Sequence, residues 1–135
     1  MDVMTTTPMR PRPDHDNPHV LIPEWLAQDI PALYATDGSA DPVVRCKLFT
    51  PDSSFTWYVT EYSAVAPDGA PRLCFGLVEG LDTELGYFSL DELERVRGKL
   101  GLRVERDLYF TACPLSAVQD GQDDPYDSPT DGQWK

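Results

Sequence analysis

Between Val44 and Phe110, the stretch that carries nearly every strand, turn and helix signal in this chain, there is no histidine, no close pair of cysteines and no glycine-rich loop of the phosphate-cradling kind. Each absence removes a chemistry. Lacking histidine, the ordered region has neither the usual proton carrier near neutral pH nor the commonest metal ligand. Lacking paired cysteines, it has no zinc-ribbon or dithiol motif, and lacking the loop it has no nucleotide fingerprint. No cofactor and no metal are expected. His15 and His19 stand in DHDNPH near the N-terminus, where two ligands without fixed geometry hold metal weakly.

Long apolar runs are missing too. None approaches a membrane span, and the first residues do not read as a signal peptide. Cys46, Cys74 and Cys113 are odd in number, widely spaced and set among apolar or aromatic neighbours, which reads as free buried thiols in a reducing cytoplasm. Basic residues are scarce: 11 against 23 acids, a net charge of -12. Residues 21–118 hold 15 acids and 8 bases, so the acidity belongs to the core as well as the ends. Such a surface repels phosphate backbones, so direct binding to DNA, RNA or an anionic membrane is disfavoured and a protein partner is expected. Oligomeric state is not legible.

What is present is one domain. Residues 1–20 contain prolines 8, 11, 13 and 18, and residues 119–135 contain five aspartates with few large apolar groups. Both read as disordered tails around a globular unit at 21–118. Ile22 to Ile30 spaces its apolar residues at helical intervals behind Pro23, predicting a short N-terminal helix that Pro31 ends. Val43 to Phe49 alternates, Thr50 to Ser54 is turn chemistry, and FTWYVTEY (Phe55 to Tyr62) is the most β-prone segment. Ala66 to Gly69 predicts a further turn, Leu73 to Val78 a third strand, and Leu85 to Phe88 a fourth.

Ser89 with Glu92 makes a capping box, and Phe88 with Leu93 a hydrophobic staple. They predict the main helix, from Ser89 to about Arg97, with acids early and Arg95, Arg97 and Lys99 late. Leu102 to Phe110 predicts a closing strand, and Pro114 to Val118 a last helical turn. The expected class is α+β: a small antiparallel sheet of four or five strands, with the main helix and the N-terminal helix on one face.

The strings Phe49-Thr50-Pro51, Thr56-Trp57-Tyr58-Val59, Phe75-Gly76-Leu77-Val78, Glu84-Leu85-Gly86-Tyr87-Phe88-Ser89-Leu90 and Glu105-Arg106-Asp107-Leu108-Tyr109-Phe110 follow in the order of a bacterial family. The chain resembles domain of unknown function 2958 over about residues 26–115. Because members occur on plasmids and integrative elements, the resemblance implies an accessory protein of a mobile element. It brings no catalytic residues.

Three candidate surfaces remain. Glu61, Asp68, Glu79, Asp82, Glu84, Asp91, Glu92 and Glu94 crowd one interval against Arg72 alone. Gathered carboxylates serve as an acid and base pair or bind a hard cation, although acids at a helix start already have a structural use. Arg95, Arg97, Lys99, Arg103 and Arg106 form a basic stretch suited to a phosphate, a nucleic acid strand or an acidic partner, although three of the five are explained by the helix C-terminus. Trp57, Tyr58, Tyr62, Tyr87 and Tyr109 supply aromatic faces. Trp57 and Tyr58 point to opposite sides of their strand, so one of them is expected on the face away from the helix, as a protein contact. The binding candidates are Trp57, Tyr58, Glu61, Glu79, Asp82, Glu84, Tyr87, Arg103 and Arg106. The favoured reading is a non-catalytic protein-interaction module; its rivals are an acidic DNA mimic that occupies a nucleic-acid-binding enzyme, and a carboxylate-dependent enzyme.

Overall fold

The computed structural model describes residues 17–64 and 72–119. The expected turn at Ala66 to Gly69 lies outside the described residues, as do residues 1–16 and 120–135 of the two expected tails.

The β-prone segments become strands. They are β1 (Val43–Val44), β2 (Cys46–Phe49), β3 (Thr56–Ser63), β4 (Leu73–Glu79), β5 (Thr83–Ser89), β6 (Glu105–Arg106) and β7 (Cys113–Pro114). Five of them form one antiparallel sheet in the order β5-β4-β3-β2-β6, and β1 pairs with β7 apart from it. Thr50 sets the β2–β3 turn: its amide donates to the Phe55 carbonyl at 3.0 Å, and its hydroxyl oxygen accepts from the Phe55 amide at 3.2 Å.

Alternation gives the sheet two apolar faces, and the chain covers both. On the first, Cys46, Leu48, Trp57, Val59 and Cys74 pack against Leu21, Ile22, Ile30, Leu90 and Leu93. These last five come from the N-terminal segment around α1 (Glu24–Ala27) and from α2 (Leu90–Leu93). On the second, Tyr58 and Leu77 pack with Val44 against Leu115 and Val118 of α3 (Leu115–Gln119). Burying such a side chain contributes about 1.5–3 kcal/mol, so each face has a reason for its cover. The helices therefore lie on two faces, not on one, and α3 is the element that closes the second.

The expected main helix is one turn long. Ser89 does cap it, its Oγ accepting from the Glu92 amide at 3.2 Å, and Leu90 and Leu93 are buried as the pattern required. It stops because Asp52 claims the next segment: one carboxylate oxygen accepts from the amides of Leu100 (2.6 Å) and Leu102 (3.2 Å). Gly98 lies so close to that carboxylate that a Cβ there would collide with it, and Gly101 sits at φ 85°. Arg97 and Arg103 consequently face each other across a turn instead of continuing a helix. The architecture is thus mainly sheet with single-turn helices, and the closing strand shortens to Glu105–Arg106. Ser89→Ala should cost on the order of 1 kcal/mol. A denaturant midpoint unchanged by that substitution would mean that the cap does not stabilise α2.

Arg106 fixes the other end of the domain. It is 5 % exposed, and its guanidinium donates to the carbonyls of Val20 (3.2 Å) and Asn17 (3.4 Å). Its own amide donates to Pro18 at 2.7 Å. Residues 17–20 are thereby tied to β6.

Candidate functional site

The sequence candidates separate once they are folded. Trp57 (6 % exposed) and Tyr58 (3 %) are both buried, one in each core, so neither offers the aromatic contact expected of one of them. The physical reason is α3, which covers the face that a single-sided fold would have left open. Arg106 is buried under the N-terminal segment, whereas Arg103 is exposed on the preceding turn. The basic stretch is therefore not one patch. Arg97 donates to the carbonyls of Glu94 and Val96, as a residue past a helix end does.

Glu61 is also buried, at 2 % exposure. A bulge in β3 puts it there: Val59 pairs with Gly76 but Glu61 pairs with Phe75, so Thr60 is an extra residue. Strict alternation would place Glu61 with Trp57 and Val59. The bulge turns it instead to the second face, beside the loop after α1. There its carboxylate accepts from the Tyr34 amide at 2.7 Å, from the Thr36 amide at 2.9 Å and from the Thr36 hydroxyl. Burial works against the charge, but those donors outweigh it and hold the carboxyl below the usual glutamate range. An ionised carboxylate with three donors is a structural clamp, ill suited to proton transfer.

The clamp holds Tyr34 at φ 70°, a left-handed conformation that costs a bulky residue about 1–2 kcal/mol. In that conformation Tyr34 meets Tyr87, with ring centres 6.2 Å apart, and Tyr87 in turn packs on Phe75 at 4.8 Å. Burial and then a hydrogen bond with the Tyr34 hydroxyl raise the Tyr87 phenol above its ordinary value. Beside them a cleft of about 250 Å³ is lined by Thr36, Pro42, Glu61, Phe75 and Leu85.

Tyr34, Leu85 and Tyr87 are exposed by 61 %, 48 % and 50 %, an apolar surface formed by the edge strand of the sheet and the Tyr34 loop packed beside it. On its outer side β5 pairs with nothing among the described residues. Of these three residues the sequence pointed to Tyr87. Tyr34 and Leu85 were missed, Tyr34 because its exposure depends on a clamp 27 residues away, Leu85 because alternation alone does not show which strand is the edge.

The acids disperse in part. Glu79, Asp82 and Glu84 do gather at the β4–β5 hairpin, where Glu79 pairs with Thr83, and Asp82 and Glu84 are exposed. Asp91 is spent on Arg72, accepting from its amide at 3.0 Å and from its guanidinium, and Glu94 accepts from the same guanidinium at 2.7 Å. Asp41 accepts from the amide and hydroxyl of Ser116, and Asp107 accepts from the Tyr109 amide. Among the described residues no three His, Cys, Asp or Glu side chains are placed to hold a metal ion. Burial pushes the Cys46 thiol up to about 12 and raises Cys74 as well, so neither is a ready nucleophile. No helix among the described residues is long and apolar enough to cross a membrane.

The family model described as Protein of unknown function (DUF2958) matches residues 23–121, from just before α1 to just past α3. The chain belongs to the DUF2958 family. The match covers the whole sheet, the Glu61 clamp and the β5 surface of this DUF2958 protein. No curated protein and no solved structure matches it.

Proposed function

We propose that this DUF2958 protein is a non-catalytic protein-interaction module whose contact surface is the outer edge of β5 with Tyr34, Leu85 and Tyr87. The observation that carries this reading is the half-exposed pair Leu85 and Tyr87 on an edge strand whose outer backbone is unpaired among the described residues, with Tyr34 packed beside it. An edge strand gives an extended segment main-chain hydrogen bonds, and alternate side chains give it specificity. Tyr87 on the sheet, and Tyr34 held beside it by the Glu61 clamp, supply contact area at small entropic cost. Asp82 and Glu84 beside the strand favour a partner segment with basic residues. The engagement of Glu61, Asp41 and Asp91 in local structure supports this reading over a carboxylate enzyme or a phosphate-like array of acids. A cytoplasmic accessory role on a mobile element, as the family resemblance implies, fits a small acidic binding module.

The test is capture of partners from the native host with the wild-type chain and with a Tyr34→Ser, Tyr87→Ser double variant, followed by calorimetry on the partner recovered. Central tyrosines at such a contact contribute about 2 kcal/mol or more, so the double variant should bind at least about thirtyfold more weakly. Equal binding by both proteins would reject this surface. Submicromolar duplex DNA binding that falls steeply with salt would reject the protein-partner reading itself.

A further inference from the structure

At the opposite end of the sheet from β5, the pairing of β2 with β6 stops at Leu48 and Arg106, and the chain beyond Asp107 turns away. The gap is a cleft of about 120 Å³ between α1 and that turn, with Trp25 and Phe110 among its apolar walls and with Arg45, Lys47 and Arg106 as its cations. Among the described residues Asp107 is the single acid lining it. Three positive charges around so small a space stand out in a chain of net charge -12.

Two of the three are accounted for. Arg106 donates to backbone carbonyls and lies over the Trp25 ring at 5.6 Å. Lys47 sits 3.7 Å from the Asp107 carboxylate and 5.9 Å from the centre of the Tyr58 ring. Arg45 is the third. Its Nε is buried and has no hydrogen-bond partner among the described residues. A buried donor left unmade is destabilising, more so when charged, so it calls for an acceptor.

We infer that this cleft is a carboxylate-binding site, with the Arg45 guanidinium as the donor and Trp25 and Phe110 packing on a short apolar group attached to the carboxylate. A singly charged acceptor matches the one guanidinium whose Nε lacks a partner among the described residues, since the Lys47 charge is offset by Asp107 and Arg106 is engaged. Arginine meets a carboxylate through two parallel hydrogen bonds, and seating them here requires the Arg45 side chain to turn its buried Nε toward the cleft. The cleft is too small for a nucleotide. The carboxylate belongs either to a small organic acid or to the C-terminus of a peptide, and both present the same chemistry here. This site is independent of the β5 surface, and either stands without the other.

The experiment is an amide-resonance titration of the full chain with phenylacetate, phenylacetamide, and the dipeptide acetyl-Gly-Phe as free acid and as amide. One or both acids should shift the amides of Arg45, Lys47 and Asp107 and the Trp25 indole saturably, and the amides should not. A response to the dipeptide acid alone would assign the site to a peptide terminus, and to phenylacetate alone a small acid. Arg45→Gln should weaken acid binding at least tenfold. If that variant does not fold, Arg45→Lys, which keeps the charge but loses the fork, should show the same loss. No saturable shift at millimolar acid, equal responses from the amides, undiminished binding by folded Arg45 variants, or a response to inorganic phosphate but to neither acid would overturn the assignment.

Discussion

Glu61→Ala should destabilise this domain by about 3–5 kcal/mol, among the largest effects of any single truncation here. The substitution strands the Tyr34 and Thr36 amides, which now donate to the carboxylate at 2.7 and 2.9 Å, and removes the restraint on the positive φ of Tyr34. Denaturant unfolding near neutral pH measures it. Glu61→Gln keeps one acceptor oxygen and should cost less, about 1–3 kcal/mol.

The pH dependence separates the two. Because the folded-state carboxyl is held below the ordinary value of 4.5, its ionised form contributes stability that is fully present above that value and lost as pH falls through the folded-state value. The wild-type chain should therefore lose more stability on acidification than Glu61→Gln, and the two should converge in acid. A constant difference at all pH values would mean that the charge of Glu61 adds nothing to the clamp. The β5 surface gives a second readout, since loss of the clamp should release Tyr34 from Tyr87 and weaken partner binding before the sheet itself melts.

Glu61 also marks where the sequence stops being readable. The strand segments were legible because aromatic and β-branched residues crowd them, and Ser89 was legible as a cap because its partner is three residues away. Alternation in FTWYVTEY correctly separates Trp57 from Tyr58 into different cores, but it puts Glu61 on the wrong face, because no local pattern announces the extra Thr60. The length of α2 was illegible for a related reason. Its end is imposed by Asp52, a residue almost fifty positions away whose carboxylate holds the Leu100 and Leu102 amides. The cationic cleft joins Arg45 and Lys47 from β2 and the residue before it to Arg106 from β6, a grouping that the basic stretch from Arg95 to Arg106 conceals. In each case the deciding contact is non-local, and periodicity carries only the local ones.

Gly76→Ala should be as damaging as losing Glu61, at about 3 kcal/mol or more, and it tests the bulge itself. Gly76 lies buried in β4 opposite Val59, immediately before the register shifts, and faces Gly86 on its other side. A Cβ at this position would overlap the Tyr58 carbonyl, which belongs to backbone and cannot swing aside. Relief requires β3 and β4 to separate or the bulge to open, and either moves Thr60, whose hydroxyl donates to the Phe75 carbonyl at 3.0 Å. Glu61 then no longer faces Tyr34. Gly86→Ala is the control, because a Cβ there meets nothing within 4 Å. That substitution should shift the unfolding midpoint little, while Gly76→Ala should lower it by roughly 10 °C or more for a domain of this size. Equal, small shifts for the two alanines would show that the close approach of Gly76 to Tyr58 relaxes without disturbing the bulge, and the positioning of Glu61 would then need another cause.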